Sequence, residues 1–226
     1  MRTRIKICGI TRAEDLAAAV SAGADAIGMV FYPASARAVT LQQALQLLTE
    51  IPPFVSTVGL FVNADSALVR EAIATLQLDL LQFHGDEDAN YCAQFSRPWI
   101  KALRVKQGIN LIECAAAYPN ANALLLDADV ASFGGGGKAF DWSLIPDEMP
   151  RNFILSGGLT VDNVGVAISK IRPWAVDVSS GVEAGDGKSK GIKDAQKIAQ
   201  FIAAVASADS DFDLGTGNNA NAGYAL

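Results

Sequence analysis

Eight short apolar runs along this 226-residue chain end on residues that could do chemistry. Cys8-Gly9, Tyr32-Pro33, Asn63, His84-Gly85, Arg104, Asp127, Ser156-Gly157-Gly158 and Ser179-Ser180-Gly181 each close a run or open the loop behind it. A thiol, an imidazole and a carboxyl are groups that take, relay and give protons. Glycine beside serine lets backbone N–H groups and hydroxyls come close to an anion. Each residue also has a plainer reading: Cys8 as core filler, His84 as a satisfied structural side chain, Asp127 as a loop cap, the glycine segments as ordinary turns. The conjunction favours chemistry only if one fold brings these ends onto one rim.

The elements that would do so follow from the alternation of short β-rich runs with longer Ala/Leu-rich stretches of helical period. Strands are expected at 5–8, 26–31, 55–61, 78–83, 100–103, 123–127, 153–155 and 175–178. Helices are expected at 13–21, 41–49, 66–76, 87–95, 111–117, 142–145, 161–170 and 193–205, the sixth being short. Eight βα units at about 25 residues each match a single α/β domain, a parallel (β/α)8 barrel spanning 1–206. In that architecture chemistry sits on the loops at the C-terminal ends of the strands, and the loops after strands seven and eight commonly hold a phosphate. Ser156-Gly157-Gly158 and Ser179-Ser180-Gly181 occupy those two loops, which implies a small phosphorylated substrate. From 207 to 226 the chain turns polar and Gly/Asn-rich without a period, and a disordered tail is expected there.

Composition narrows the partners. Half the residues are apolar and 19% are charged, so the chain has the hydrophobicity of a folded domain. The formal net charge is -6 and the pI near 4.8, so no global field draws in nucleic acid or an anionic membrane. Asp209, Asp211 and Asp213 carry three of those charges in the tail. Cys8, Cys92 and Cys114 are too few and too widely spaced for a disulfide framework or a zinc cluster. Cys92 and Cys114 fall in helical stretches and read as packing residues. His84 is the only histidine, which excludes His-rich metal sites. No apolar leader and no run of about 20 apolar residues is seen, so a cytoplasmic protein is expected. Nothing marks an exposed apolar face, so a monomer is expected.

Other motifs weigh less. Gly134 to Lys138 followed by Ala139 fits a dinucleotide pattern in letters, but it stands away from a strand and opens no long helix. Gly181 to Ser189 misses a phosphate-binding P-loop because Val182 stands where glycine is needed. Lys6, two residues before Cys8, should face the barrel axis, where an ammonium needs a counter-charge. Asp177, on the strand that closes against the first, is the expected partner.

Lys6-Ile-Cys-Gly-Ile-Thr11, Phe31-Tyr-Pro-Ala-Ser-Ala-Arg37, Leu81-Gln-Phe-His-Gly85, Leu124-Leu-Leu-Asp127, Phe140-Asp-Trp142, Leu155-Ser-Gly-Gly-Leu159 and Val176-Asp-Val-Ser-Ser-Gly-Val-Glu183 occur in this order. Together they resemble the phosphoribosylanthranilate isomerases of tryptophan biosynthesis, over roughly residues 4 to 205. The resemblance implies a cofactor-free Amadori rearrangement of N-(5'-phosphoribosyl)anthranilate to the 1-deoxyribulose phosphate. It assigns Asp127 as general acid and Cys8 as general base, Arg37 to the anthranilate carboxylate, and His84 to shaping or polarising the site. Ser156, Gly157, Gly158, Ser180 and Gly181 inherit the phosphate. The acid should then need a raised pKa and the base a lowered one, with Lys6 helping to lower it.

The chain departs from the family pattern in two loops. Four glycines, Gly134 to Gly137, stand where Gly-Gly-Thr-Gly is common, and a longer segment without proline precedes Gly191, which leaves open whether Lys188 or Lys190 comes near the phosphate. Two rivals remain. One is a related sugar-phosphate barrel, such as a histidine-pathway isomerase or a ribulose-phosphate epimerase; the former would use two aspartates where this chain has Cys8 and Asp127. A catalytically silent sugar-phosphate-binding barrel would need neither acid nor base.

Overall fold

Ala123–Ala128 is buried at every position, and a strand apolar on both sides must be covered on both faces. The computed structural model describes residues 2–128, 139–149, 152–185 and 190–217. In it eight strands meet this requirement by closing: β1 (Arg4–Cys8), β2 (Ala26–Val30), β3 (Ser56–Phe61), β4 (Leu80–Phe83), β5 (Trp99–Val105), β6 (Ala123–Ala128), β7 (Phe153–Leu155) and β8 (Ala175–Val178). All pairs are parallel and in chain order, and β8 returns to β1 with Lys6 opposite Asp177. The expected (β/α)8 barrel is present.

Helices pack outside the sheet: α1 (Ala13–Ala22), α2 (Leu41–Leu48), α3 (Ser66–Leu76), α4 (Ala89–Ala93), α5 (Leu111–Ala117), α6 (Val164–Ile171) and α7 (Ala195–Gly217). Where their starts differ from the expected ones, a side chain decides. Asp88 accepts the N–H of Tyr91, so α4 begins after it and Glu87 is left in the loop. Asn163 accepts from Thr160 N and donates to Gly158 O, which delays α6 to Val164. Asp194 accepts from Gln196 N and Lys197 N at the head of α7. The sixth expected helix is a single 3-10 turn, Trp142–Leu144.

Two-residue periodicity divides the core. Outward side chains such as Phe61, Phe83, Leu124 and Val176 pack under the helices. Inward ones fill the barrel in layers: Ile100, Ala102, Ala123, Leu125, Ile154 and Ala175 form an apolar layer. Toward the strand ends Cys8 packs with Val30, Leu60 and Val62. The apolar plug ends where Lys6, Gln82, Asp127 and Asp177 begin, so the polar residues occupy one end of a closed and filled barrel.

The boundary expected at 206 moves. Helix α7 continues to Gly217, Ala208 lies in the core, and Asp209 accepts from both Thr3 N and Thr3 Oγ1 at 2.7 Å. The polar composition after 206 belongs in part to a helix face that ties down β1. Among the described residues no helix is long and apolar enough to cross a membrane. Asp209→Ala strands the buried N–H of Thr3, and we expect it to lower the unfolding free energy by about 2 kcal/mol in urea titration. A change within error would show that α7 does not brace β1.

Candidate active site

Cys8 closes β1 with its thiol buried beside the Lys6 ammonium. Both side chains crowd over Gly28 of β2. A Cβ there would lie 2.8 Å from Cys8 Sγ and 3.0 Å from Lys6 Nζ, so no larger residue fits without moving them. Lys6 Nζ donates to Asp177 Oδ1 at 2.7 Å, and Ser156 Oγ donates to Asp177 Oδ2 at 3.1 Å. The expected Lys6–Asp177 pair therefore exists, and it reaches Ser156 on the β7 loop.

The charge balance around Cys8 departs from expectation. Burial pushes the thiol pKa up, Lys6 and Lys193 pull it down, Asp177 adds to the rise, and the net direction is upward. For Lys6, burial disfavours the ammonium, but Asp177 and Cys8 outweigh it and hold the pKa above its ordinary value. Lys6 tempers the thiol without bringing it down to its ordinary value, because burial outweighs it and Asp177 adds to the rise. Cys92, in the core, is pushed up to about 12 by burial, as suits a packing residue. Cys114 also packs against the core and is half-buried.

Across the mouth, His84 and Asp127 are one unit. His84 Nε2 lies 2.9 Å from Asp127 Oδ2, and Gln82 Nε2 lies 2.9 Å from His84 Nδ1. Gln82 and His84 are two apart, hence on the same inward face. Asp127 Oδ1 accepts the N–H of Ala128 at 2.8 Å. Gly157 is required beside it: its φ is +77°, and a Cβ would sit 2.6 Å from Asp127 Oδ1 and 2.3 Å from Ala128 N. The tight turn after β7 thus backs the carboxylate on β6.

The loops that follow β7 and β8 pack together at Leu159 and Gly181. A Cβ on Gly181 would fall 1.9 Å from the carbonyl oxygen of Leu159, so that contact demands glycine. Ser180–Val182 forms one 3-10 turn. Gly134 to Gly137 and Lys188 lie outside the described residues, and Lys190 is exposed.

Arg37, expected to await a substrate carboxylate, already holds one. Its Nε and Nη2 donate to Glu183 Oε1 and Oε2 at 2.6 and 3.0 Å, a fork-to-fork pair. Glu183 also accepts from Lys193 Nζ at 3.1 Å, and Lys193 reaches Ser179 O and Oγ at 3.1 Å each. Nη1 is the guanidinium nitrogen outside this fork. Burial would raise the Glu183 pKa, but Arg37 and Lys193 hold it below the ordinary carboxylate value. Burial, against the pull of Glu183, takes Lys193 below its ordinary value.

A second buried carboxylate does the same for another pair of loops. Glu87 accepts from Asn63 N at 2.7 Å, Gly85 N at 2.9 Å and Lys101 Nζ at 3.0 Å, while Lys101 also donates to Gly85 O at 2.7 Å. This clamp fixes the turn that carries His84. Glu183, Lys193, Glu87, Lys101 and Gln82 were not singled out as site residues from the sequence. The available signal was a charge inside an otherwise apolar strand, as at Lys101, or an acid closing a Ser/Gly-bearing loop, as at Glu183. Among the described residues no three His, Cys, Asp or Glu side chains are grouped to hold a metal ion.

A closed parallel barrel with a buried thiol, an aspartate–histidine unit and two glycine-bearing loops on one rim defines a (β/α)8-barrel enzyme. The family model for N-(5'phosphoribosyl)anthranilate (PRA) isomerase matches residues 5–204. An N-(5'-phosphoribosyl)anthranilate isomerase of Dechloromonas aromatica is 60% identical over 92% of this chain and 99% of its own length. One from Pseudomonas fluorescens is 59% identical over 89% and 98%. The crystal structure of phosphoribosyl anthranilate isomerase from Thermotoga maritima is 42% identical, with a TM-score of 0.82 over 91% of this chain and 99% of that one. The chain belongs to the phosphoribosylanthranilate isomerase family, and it is an isomerase of tryptophan biosynthesis.

Because the folded-state pKa of Glu183 is depressed, its contribution to stability is complete above the ordinary glutamate pKa and is lost as pH falls through the depressed one. Glu183→Gln should cost about 2 kcal/mol at neutral pH, and its stability curve should converge on the wild type in acid. Parallel curves from neutral to acid pH would show that Glu183 does not carry this linkage.

Proposed function

We propose that this mouth converts N-(5'-phosphoribosyl)anthranilate to 1-(2-carboxyphenylamino)-1-deoxy-D-ribulose 5-phosphate, with Asp127 as general acid and Cys8 as general base. The observation that carries the reading is the order of groups around the rim. Asp127 on β6, the glycine loops after β7 and β8, and Cys8 on β1 form one continuous arc. A sugar phosphate anchored by the backbone N–H groups of Ser156, Gly157, Gly158, Ser180 and Gly181 would present its ring carbons between the carboxyl and the thiol. A phosphoribosyl anthranilate isomerase structure 40% identical to this chain is a complex with reduced 1-(o-carboxyphenylamino)-1-deoxyribulose 5-phosphate.

The chemistry follows from the substrate. Asp127 gives a proton to the furanose ring oxygen, the C1–O bond breaks, and the nitrogen lone pair forms a C1=N iminium. Cys8 as thiolate removes the C2 proton, and the released electrons make the enolamine, which tautomerises to the ketone. Hydrogen moves from C2 to C1 and no net electrons leave, so the rearrangement requires no redox cofactor. Arg37, held by Glu183 after β2, presents its outer Nη1 side to the anthranilate carboxylate, and His84 polarises Asp127.

Fluorescence loss of phosphoribosylanthranilate tests the reading directly, and an inactive wild type would overturn it. Cys8→Ala and Asp127→Asn should each lower kcat by about 10²- to 10⁴-fold, with affinity for a product analogue retained. Near-full activity in either would remove the role assigned to that residue.

The raised thiol makes a further prediction for the free enzyme. A base must be deprotonated, so kcat/KM should climb with pH through a value above the ordinary thiol pKa. A profile flat between about pH 6 and pH 9 would exclude Cys8 as the base.

A further inference from the structure

Gln82 lies fully buried on the inward face of β4, directly beneath His84. Its Nε2 reaches His84 Nδ1 at 2.9 Å, while its Oε1 is buried with no hydrogen-bond partner among the described residues. An unpaired buried carbonyl is costly, so its retention needs a reason. The reason lies in what an amide can do that a hydrocarbon of the same size cannot. It offers a donor at one tip and an acceptor at the other.

With the donor on Nδ1, the imidazole proton stands on Nε2 and points at Asp127 Oδ2. Asp127 Oδ1 already accepts from Ala128 N, so both carboxylate oxygens are then acceptors. That arrangement suits an ionised Asp127. Turning the amide over puts Oε1 on Nδ1, the ring proton moves to Nδ1, and Nε2 becomes the acceptor that a protonated Asp127 needs. Each orientation uses one arm of the amide and leaves the other unpaired, so the exchange loses no net hydrogen bond.

We propose that Gln82 is a positioning residue for the reaction, whose side-chain amide sets which nitrogen of His84 carries the proton and so whether His84 gives a hydrogen bond to Asp127 or takes one. It is fully buried and acts through His84. The inference rests on Asp127 being the acid, and the two can fail separately. Full activity of Asp127→Asn defeats the acid assignment, whereas the state of the His84 ring is read without turnover.

His84 is the only histidine, so the nitrogen NMR spectrum of full-length, histidine-labelled protein reports this ring alone. The ligand-free wild type at neutral pH should show Nε2 protonated and Nδ1 bare. Gln82→Glu places only an acceptor beneath the ring and should move the proton to Nδ1. Gln82→Met fills the same space with neither donor nor acceptor, and its kcat should fall about ten-fold with KM changed less than about two-fold. Thermal unfolding of both variants checks that the barrel persists. A wild-type spectrum with Nδ1 protonated overturns the proposal even if neither variant folds. So does a tautomer unchanged in both variants together with wild-type kcat.

Discussion

The ion pair between Lys6 and Asp177 joins the first strand to the last, and the mouth is assembled from it outward. A barrel has no edge only if its two end strands meet in register, and Lys6 opposite Asp177 is one rung of that seam. The pair is buried at 2.7 Å, so removing either partner would strand a charge at a cost of several kcal/mol. From Lys6 the network reaches the thiol of Cys8, and from Asp177 it reaches Ser156. The strand that carries the proposed base and the loop that carries the proposed phosphate site thus depend on one contact.

Two further carboxylates repeat the device. Glu183 binds Arg37 from the β2 loop and Lys193 from the approach to α7, while Glu87 binds Lys101 of β5 and backbone N–H groups of the β3 and β4 loops. Each carboxylate is buried and collects donors from several parts of the chain, so loops that could drift are bound at their bases. This bears on how a chain of net charge -6 would handle the proposed substrate, a phosphorylated carboxylate. Lys6, Arg37 and Lys193 are all neutralised locally. Under the proposed function, attraction for the anion would then fall to the loop N–H groups and to the edge of Arg37 outside its fork with Glu183.

The fold was legible because parallel barrel strands are buried on both sides and read as apolar runs. All eight expected strands formed, with shifts of a residue or two at the ends. Helix ends were less legible. Asp88, Asn163 and Asp194 move starts by local hydrogen bonds that the apolar period does not encode. The end of α7 resembles a tail in sequence because it is polar and without an apolar period, and Asp209 gains its partner only when Thr3 comes beside it. At the site, Cys8, Asp127 and His84 were legible as strand-end residues. So was the pairing of Lys6 with Asp177, whereas Gln82 under His84 and the clamps made by Glu87 with Lys101 and by Glu183 with Lys193 emerge only when the barrel closes around them.

By itself the sequence determined the number and order of βα units, the parallel closed sheet, and the reactive groups at the strand ends. Local periodicity and burial are enough for that, since each strand carries its own apolar pattern. Beyond the Lys6–Asp177 pair, only the tertiary structure decided which charges meet. It set Arg37 on Glu183, tied His84 to both Asp127 and Gln82, and left the Cys8 thiol raised despite Lys6 beside it. The reason is physical: a hydrogen bond or a desolvated charge depends on what lies within a few ångströms. In a closed barrel those neighbours come from distant strands and loops, as with Lys6 and Asp177, 171 residues apart.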